Sequence, residues 1–450
     1  MEWKTFTTFV LYNDACQSIN MQKRVNVITL GCSKNLSDSE VLLGQLNHAG
    51  LAAASEMRDD HDIVVVNTCG FIDLAKEESV ETILHQVERK KAGEIEKLYV
   101  TGCLSQRYRD DLIQELPEVD GFFGTVELPL LLEEFNVDYR KDLLGSKRLT
   151  TPSHYAYVKI SEGCNRTCGF CAIPLMRGKH ISRPMEEIEH EIKHWVSKGV
   201  KEVMLIAQEL TFYGLDLYKK RVLAELVQRL AQIEGLHWLR LHYAYPSQFP
   251  IDVIEVIRNE KVVCDYLDMP LQHASNDVLR RMRRNITQEK SRELIARIRE
   301  IHPEICLRTT MLVGYPGETE ADHDQLIDFI EEMQFNRLGV FTYSHEEGTH
   351  GHKLEDDVPQ EVKAERASHV MEVQEGISYN HNQKHVGQTI TALVDEVDAD
   401  GNAIGRSQWD SPEVDNDIFI QTGDKYAPVG QMIQVKITEA DAFSLRGEMV

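Results

Sequence analysis

The sequence predicts an α/β protein in three parts: an N-terminal parallel-sheet domain, a central partial (β/α) barrel and a small C-terminal antiparallel β-barrel. Three observations carry this reading. From Val25 onward, β-rich runs are each followed by a helical stretch, three times over. From 155 to 343, six more such runs alternate with mostly amphipathic stretches. From Val386 the pattern changes to period-two runs such as ITALVDEV and MIQVKIT, broken by Gly, Asp and Pro. A length of 450 residues agrees, at roughly 150 residues per domain. The expected divisions are a tail over 1–22 and domains over 23–148, 149–384 and 385–450.

Composition narrows the function. With 42% hydrophobic and 27% charged residues, collagen-like, disordered and membrane classes are excluded, and no window approaches the run of about 18 apolar residues that a membrane helix needs. A net charge of −24 repels phosphate backbones, which argues against direct DNA binding and favours basic partners. Nine cysteines spread along such a chain do not make a secreted disulfide scaffold. The first twenty residues have no basic segment followed by a long apolar one, so a reducing cytoplasm is expected. Met21 is a second candidate start, which leaves Cys16 in a tail without a ligand role.

The first strand, VNVITLGC, ends at Gly31-Cys32. Ser37-Asp38-Ser39-Glu40 reads as a capping box opening a helix to Gly50. The second strand, Ile63 to Val66, runs into Asn67-Thr68-Cys69 before a helix over about 73–91. The third, Leu98 to Val100, runs into Thr101-Gly102-Cys103 before a helix over about 105–116. Right-handed crossovers put all three strand ends on one sheet edge, which brings Cys32, Cys69 and Cys103 together from far apart in sequence. A small buried residue ending one strand means little. Three in equivalent places favour a shared metal site over a local zinc knuckle.

The strand YAYVKI (155–160) leads into Cys164-Asn165-Arg166-Thr167-Cys168-Gly169-Phe170-Cys171, a C-x3-C-x2-C spacing with an aromatic before the last cysteine. Three thiolates this close can hold three irons of a 4Fe-4S cube and leave the fourth open. Structural zinc wants a fourth protein ligand, for which His180 is the nearest candidate. Five further strands are expected at 202–207, 237–243, 265–271, 306–313 and 337–343, with chemistry at the mouth where strands end. An amphipathic helix over about 360–384 is expected to pack back on the body.

At these cysteines the chain resembles the radical S-adenosylmethionine superfamily, in which the methionine amine and carboxylate chelate the open iron. With Cys32, Cys69 and Cys103 added, it resembles the methylthiotransferases along nearly its whole length. LGCSKNLSDSE (30–40), SEGCNRTCGFCAIPLMRGKHISRP (161–184), PLQHASNDVLRRMRR (270–284) and VGYPGETEADH (313–323) look most like the branch that modifies an aspartate of the twelfth small-subunit ribosomal protein. The tRNA branch usually reads more like YGCQMN at the first cysteine, where this chain has Ser33-Lys34-Asn35.

The resemblance implies two 4Fe-4S clusters, one on Cys32, Cys69 and Cys103 and one on Cys164, Cys168 and Cys171. The latter would cleave S-adenosyl-L-methionine to a 5′-deoxyadenosyl radical; the former would present sulfur, and a second S-adenosylmethionine would supply the methyl group. The product would be a methylthio group on the β-carbon of an aspartate of ribosomal protein S-twelve, free or in the small subunit. An electron donor such as flavodoxin or ferredoxin would serve it. A tRNA adenosine methylthiotransferase and a non-enzymatic iron-sulfur carrier are the competing readings; a pure carrier gains nothing from an open iron. Phe170, Gln208, Glu209, Gln272 and Glu318 are candidates for holding S-adenosylmethionine, with Arg308 near its strand's start, although strand-end polar residues often only cap. Gly314 and Gly317 flank a turn just before Glu318.

Arg177, Lys179 and Arg183 form a basic loop that could meet an acidic substrate. His345, His350 and His352 read as a flexible linker rather than a metal site, and Cys264 and Cys306 as core. The C-terminal section resembles the TRAM domain, normally RNA-binding. Its four basic residues against twelve acidic ones over 386–450 have the wrong sign for RNA. Asp410, Glu413, Asp415 and Asp417 are expected on an acidic face that attracts a basic partner.

Overall fold

The structure, a computed structural model, describes residues 23–55 and 61–450. Cys16, Met21 and the 1–22 tail lie outside them. The N-terminal part runs β1 (Arg24–Thr29), α1 (Ser33–His48), β2 (Ala52–Ala54), β3 (Ile63–Thr68), α2 (Asp73–Lys91), β4 (Lys97–Gly102), α3 (Cys103–Glu115), β5 (Gly121–Phe122) and α4 (Leu128–Glu133). Its strands pair in parallel in the order β2-β1-β3-β4-β5. The centre is IVVVNT of β3, buried throughout. Val65 faces one core with Val25, Val27 and Leu43, and Val64 and Val66 face another with Ile83, Leu98 and Val100. Helices on both faces are what make a strand hydrophobic on both sides.

Two short edge strands, β2 and β5, add to the three expected. The capping-box expectation is corrected. The helix opens four residues earlier, at Ser33, with Cys32 as N-cap and no side-chain cap. Asp38 and Glu40 instead point out of the helix to partners in the central domain, described below.

The central part runs β6 (Tyr155–Lys159), β7 (Ser161–Glu162), α5 (Ile173–Arg177), β8 (Ile181–Ser182), α6 (Met185–Ser197), β9 (Glu202–Ile206), α7 (Leu223–Leu230), β10 (Trp238–Leu241), α8 (Asp252–Asn259), β11 (Val263–Asp268), α9 (Asn276–Arg281), α10 (Gln288–Ile301), β12 (Cys306–Val313), α11 (Glu320–Met333), β13 (Arg337–Thr342) and α12 (Gln360–Gln383). Six parallel strands in the order β6-β9-β10-β11-β12-β13 form the partial barrel. Amphipathic helices close over it, burying Ile188 and Ile192 of α6 and Leu226, Val227 and Leu230 of α7. The fourth strand is 263–268 rather than 265–271. Past it the chain continues to Gln272, whose φ of 78° is left-handed and which makes a single bridge to Met311.

The C-terminal part is a closed barrel of β14 (Thr389–Val397), β15 (Ala403–Arg406), β16 (Asp417–Gln421), β17 (Met432–Ala440) and β18 (Ser444–Met449), in the order β14-β15-β16-β18-β17. It is not wholly antiparallel, because β16 and β18 pair in parallel. The barrel docks where the central strands begin, through buried ions. Arg406 reaches Glu202 at 2.8 Å and Asp395 at 2.7 Å. Arg240 also pairs with Glu202, at 2.7 Å. Arg337 holds Asp410 at 2.7 Å, and Asp415 takes Arg308 at 3.2 Å and the Tyr266 hydroxyl at 2.7 Å.

The acidic-face expectation is therefore corrected for two of its four residues. Asp410 and Asp415 have side chains 1% and 2% exposed and serve this internal joint. Glu413 accepts from the Tyr155 hydroxyl at 3.4 Å, and Asp417 remains at the surface. Cys264 and Cys306 are buried beside Trp238, Tyr266 and Leu393, as core. Among the described residues, no helix is long and apolar enough to cross a membrane.

Candidate active site between two cysteine triplets

The ends of β1, β3 and β4 bring Cys32, Cys69 and Cys103 onto one edge. Cys32 caps α1 and Cys103 is the first residue of α3, so two thiols sit at helix N-termini, where the dipole favours a thiolate. Close approach requires glycine. Gly31 has φ 87° and a Cβ there would stand 2.8 Å from the Cys69 Sγ; Gly102 has φ 99° and its Cβ would stand 2.5 Å from the Thr68 carbonyl oxygen.

Buried Asn35 organises the edge. Its Nδ2 donates to the carbonyls of Leu30 at 2.9 Å and Thr68 at 3.0 Å. Its Oδ1 accepts from the Arg177 guanidinium and faces the Cys103 Sγ at 3.7 Å. Asn67 Nδ2 returns a bond to the Asn35 carbonyl at 2.9 Å. Burial raises the Cys69 thiol, and it pushes Cys103 up to about 11 with the neighbouring Cys32 and Cys69 adding to it against Arg177. Cys32 is exposed at the edge; the protein packed around its thiol raises it, but Lys34, the Asn35 amide and Arg177 outweigh this, and the net shift is downward.

The second triplet hangs from a ribbon. β7 and β8 pair antiparallel, Ser161 with Ser182 and Glu162 with Ile181, closing the base of the Cys164–Cys171 loop. The Cys164 amide donates to the Gly178 carbonyl at 3.1 Å, and the Gly169 amide to Met282 at 2.7 Å. Arg284 Nη1 lies 3.5 Å and the Tyr245 hydroxyl 3.9 Å from the Cys168 Sγ. Arg166 and Arg284 stand over the Tyr245 ring, 3.8 and 4.2 Å from its centroid. Burial raises Cys164 to about 11 and Cys171 further, with Cys168 adding to both.

Thiols that burial and neighbouring thiols keep from ionising alone, as at Cys69, Cys103, Cys164 and Cys171, can ionise when a metal takes the proton's place. Among the described residues, no group of three or more His, Cys, Asp or Glu gathers tightly enough for a single ion, and a cube keeps its thiolates further apart than one ion does. His180 is not gathered with the cysteines into a zinc set among the described residues, and its Nε2 bonds the Ser182 hydroxyl at 3.1 Å. All six cysteines are free, so the residues fit two clusters.

One short helix links the two triplets. α5 follows Cys171 directly, and Ala172, Ile173 and Met176 pack on Cys103. Arg177, at its end, is 3% exposed and pairs with Asp38 at 2.6 Å and Glu162 at 3.4 Å. Lys159 bonds Asp38 and Glu162, and Lys147 reaches Glu40 at 2.9 Å. The basic-loop expectation is thus corrected: Arg177 is internal, Arg183 is bound to Glu191 at 2.8 Å, and Lys179 alone of the three is exposed. The flexible-linker expectation at His345, His350 and His352 is corrected too. The His345 and His352 rings pack at a tilt with centroids 4.4 Å apart, the Gly351 amide bonds the Gly169 carbonyl at 2.6 Å, and buried Glu346 takes Lys76 at 3.0 Å and Arg107 at 2.6 Å from the N-terminal domain.

The S-adenosylmethionine candidates divide. Phe170 packs half-buried against Met282, Tyr315 and Tyr343. Gln208 donates to Glu162 at 2.7 Å and leaves its own buried Oε1 without a partner. Gln272 sits at the mouth, its side chain unbonded among the described residues. Glu209 is occupied: it caps the short turn at Leu210–Phe212 through the Thr211 amide at 2.7 Å and pairs with Arg166 at 3.1 Å. Glu318 is occupied as well, accepting from the Tyr315 amide and pairing with Arg366 of α12, both at 3.1 Å. Arg308 belongs to the C-terminal joint. Sequence reasoning missed Asn35, Asn67, Tyr245 and Arg284. Asn35 and Arg284 stood inside the quoted motifs, but their roles rest on contacts from distant elements.

Comparison with known proteins agrees with this arrangement. Residues 24–124 match the uncharacterized protein family UPF0004, 158–330 the radical SAM superfamily and 386–450 the TRAM domain. The ribosomal protein uS12 methylthiotransferase RimO of Cytophaga hutchinsonii is 54% identical over 96% of this chain and 99% of its own. That of Christiangramia forsetii is 54% identical over 95% and 94%, and that of Bacteroides thetaiotaomicron 47% over 95% and 99%. Among solved structures, the radical S-adenosylmethionine methyltransferase TsrM of Kitasatospora setae aligns with a TM-score of 0.55 at 13% identity, covering 71% of this chain and 72% of its own. The chain therefore belongs to the RimO family of radical S-adenosylmethionine methylthiotransferases.

Proposed function

We propose that this protein adds a methylthio group to the β-carbon of an aspartate in ribosomal protein uS12. In this reading Cys164, Cys168 and Cys171 hold one 4Fe-4S cluster and Cys32, Cys69 and Cys103 another, within domains dividing at 148/149 and 384/385. The observation that carries it is the packing of α5, which leads straight from Cys171 onto Cys103. When bound, the clusters and S-adenosylmethionine supply a hydrogen-abstracting radical, sulfur and methyl.

The protein's own residues supply placement. Arg177, Asp38, Glu162 and Lys159 lock the two halves at a fixed distance, so a substrate carbon held between them meets radical and sulfur without a large motion. Arg284 and Tyr245 beside Cys168 offer hydrogen bonds to a thiolate and shield it from water. The site is expected to work in the cytoplasm with a small reducing protein such as flavodoxin or ferredoxin.

The test is anaerobic reconstitution followed by incubation with dithionite, S-adenosylmethionine and uS12. Formation of 5′-deoxyadenosine together with methylthiolated uS12 is expected. Methylthio label on tRNA adenosine with none on uS12 would overturn the substrate, and no 5′-deoxyadenosine would overturn the chemistry.

A further inference from the structure

Lys34 lies two residues beyond Cys32 and reaches across to the central barrel, where its Nζ sits 3.0 Å from the centroid of the Tyr243 ring. Tyr243 is two residues past β10, at the mouth end, and is held there in a left-handed conformation, φ 66°. Its amide donates to Asp268 at 3.0 Å and its carbonyl accepts from Leu210 at 3.1 Å. Leu36 and Tyr243 both pack on the cluster that contains Tyr157 and Met204, which fixes the approach of the two elements. A non-glycine residue kept at positive φ by surrounding bonds is a feature that concentrates at functional sites.

Lys34 acts on the neighbouring Cys32 thiol but meets no carboxylate among the described residues. Lys76, Arg107, Lys147, Lys159 and Arg177 also bridge the N-terminal and central domains, and each ends on a carboxylate, Lys147 on Glu191 of the central domain at 3.5 Å. Among the described residues Lys34 has no carboxylate partner, in a chain whose net charge is −24. Cation–π contact with a ring stabilises an ammonium less than an ion pair in a desolvated setting would. A half-buried cation two residues from Cys32, parked on an aromatic face at the end of β10, is placed to receive an anion from outside the chain.

We propose that Lys34 is the residue that selects an acidic substrate, by pairing with the carboxylate of the aspartate to be modified. This rests on the uS12 reading. An aspartate carries its carboxylate one bond from the β-carbon, so an ammonium that holds the carboxylate also places that carbon beside the Cys32 edge. A nucleobase has no such anion, and a lysine here offers it nothing equivalent. The ring of Tyr243 holds the ammonium in position before substrate arrives, which lowers the ordering cost on binding.

The experiment uses the cluster-loaded protein and two forms of uS12, native and with asparagine at the target position. Without reductant, native uS12 is expected to bind wild type about tenfold or more tightly than the asparagine form, as for a charge-assisted hydrogen bond. Lys34→Gln should lose that discrimination, binding both forms alike, and Lys34→Arg should restore most of it. In turnover, Lys34→Gln should still release 5′-deoxyadenosine but couple poorly to methylthiolation. Electron paramagnetic resonance of the reduced clusters should match wild type. Undiminished Asp-over-Asn discrimination in Lys34→Gln would overturn the proposal, as would an equal loss of both substrates. Wild type that binds and modifies neither form would instead overturn the uS12 reading.

Discussion

Asn35 makes the N-terminal edge a site rather than three separate strand ends. One amide satisfies two carbonyls, faces the Cys103 thiol and receives the guanidinium that arrives from the other domain. Gly102 matters through space. Because its Cβ would stand 2.5 Å from both the Thr68 carbonyl oxygen and the Asn67 Oδ1, Gly102→Ala must push β4 away from β3. The expected result is selective: iron content falls from about eight to about four per chain, while reductive cleavage of S-adenosylmethionine persists. Replacing Cys164, Cys168 and Cys171 together should do the reverse, leaving an N-terminal cluster visible by Mössbauer spectroscopy but no 5′-deoxyadenosine. Loss of both clusters in Gly102→Ala would show that the two sites do not load independently. Both cysteine triplets were legible in the sequence, one from tight spacing and one from its recurrence at strand ends. Glu209 and Glu318 were not decided by the sequence, because a polar residue after a strand looks the same whether it faces a ligand or caps its own turn.

The long periodic elements were equally legible. β12 and α2 occur as expected, because an eight-residue buried strand and a nineteen-residue helix carry their own pattern. β2 and β5 were not, being three and two residues long and defined by their neighbour's hydrogen bonds. The joint between the central strands and the C-terminal barrel was invisible too, since its ion pairs link residues far apart in sequence. Breaking it has a definite cost. Arg337→Met leaves buried Asp410 without its cation and is expected to destabilise the chain by about 3–5 kcal/mol in urea unfolding. Acid should loosen the same region. Burial lowers His381 to about 4, with Lys384, Arg337 and Arg299 adding to it against the Gln334 carbonyl; burial also lowers His242, which bonds Ser411, and His385, which stacks on Trp409. Histidine in an unfolded chain titrates near about 6.5, so the stability these groups provide is complete above that pH and is lost as pH falls toward 4. The urea midpoint should drop between pH 7.5 and 5, and His381→Asn should reduce the drop; an unchanged pH slope in that variant would remove His381 from the account.

Across the whole molecule, net charge located less than it seemed to. A chain at −24 suggested a uniformly acidic C-terminal face, yet Asp410 and Asp415 neutralise arginines inside the protein. Substituting those two would disturb the joint and reveal nothing about a partner. The acid left outside includes a cleft of about 670 Å³ between α12 and the C-terminal barrel, lined by Glu372, Glu375, Asp417 and Asp441. Tyr379, Phe419 and Phe443 line it too and are 46%, 39% and 49% exposed. Carboxylates interleaved with open rings suit lysine and arginine side chains, which gain from both. They repel the phosphates of tRNA. Binding of basic uS12 is therefore expected to weaken steeply with salt, because exposed charges are screened beyond about 8 Å at physiological ionic strength. Glu372→Gln, Glu375→Gln and Asp441→Asn, none of them in the ion-paired joint, should together slow association and flatten the salt dependence in stopped-flow measurements. Their 5′-deoxyadenosine yield without uS12 should equal that of wild type. If the triple variant associates at the wild-type rate with the same salt slope, the ribosomal protein approaches from another side, and the cluster chemistry stands unaffected.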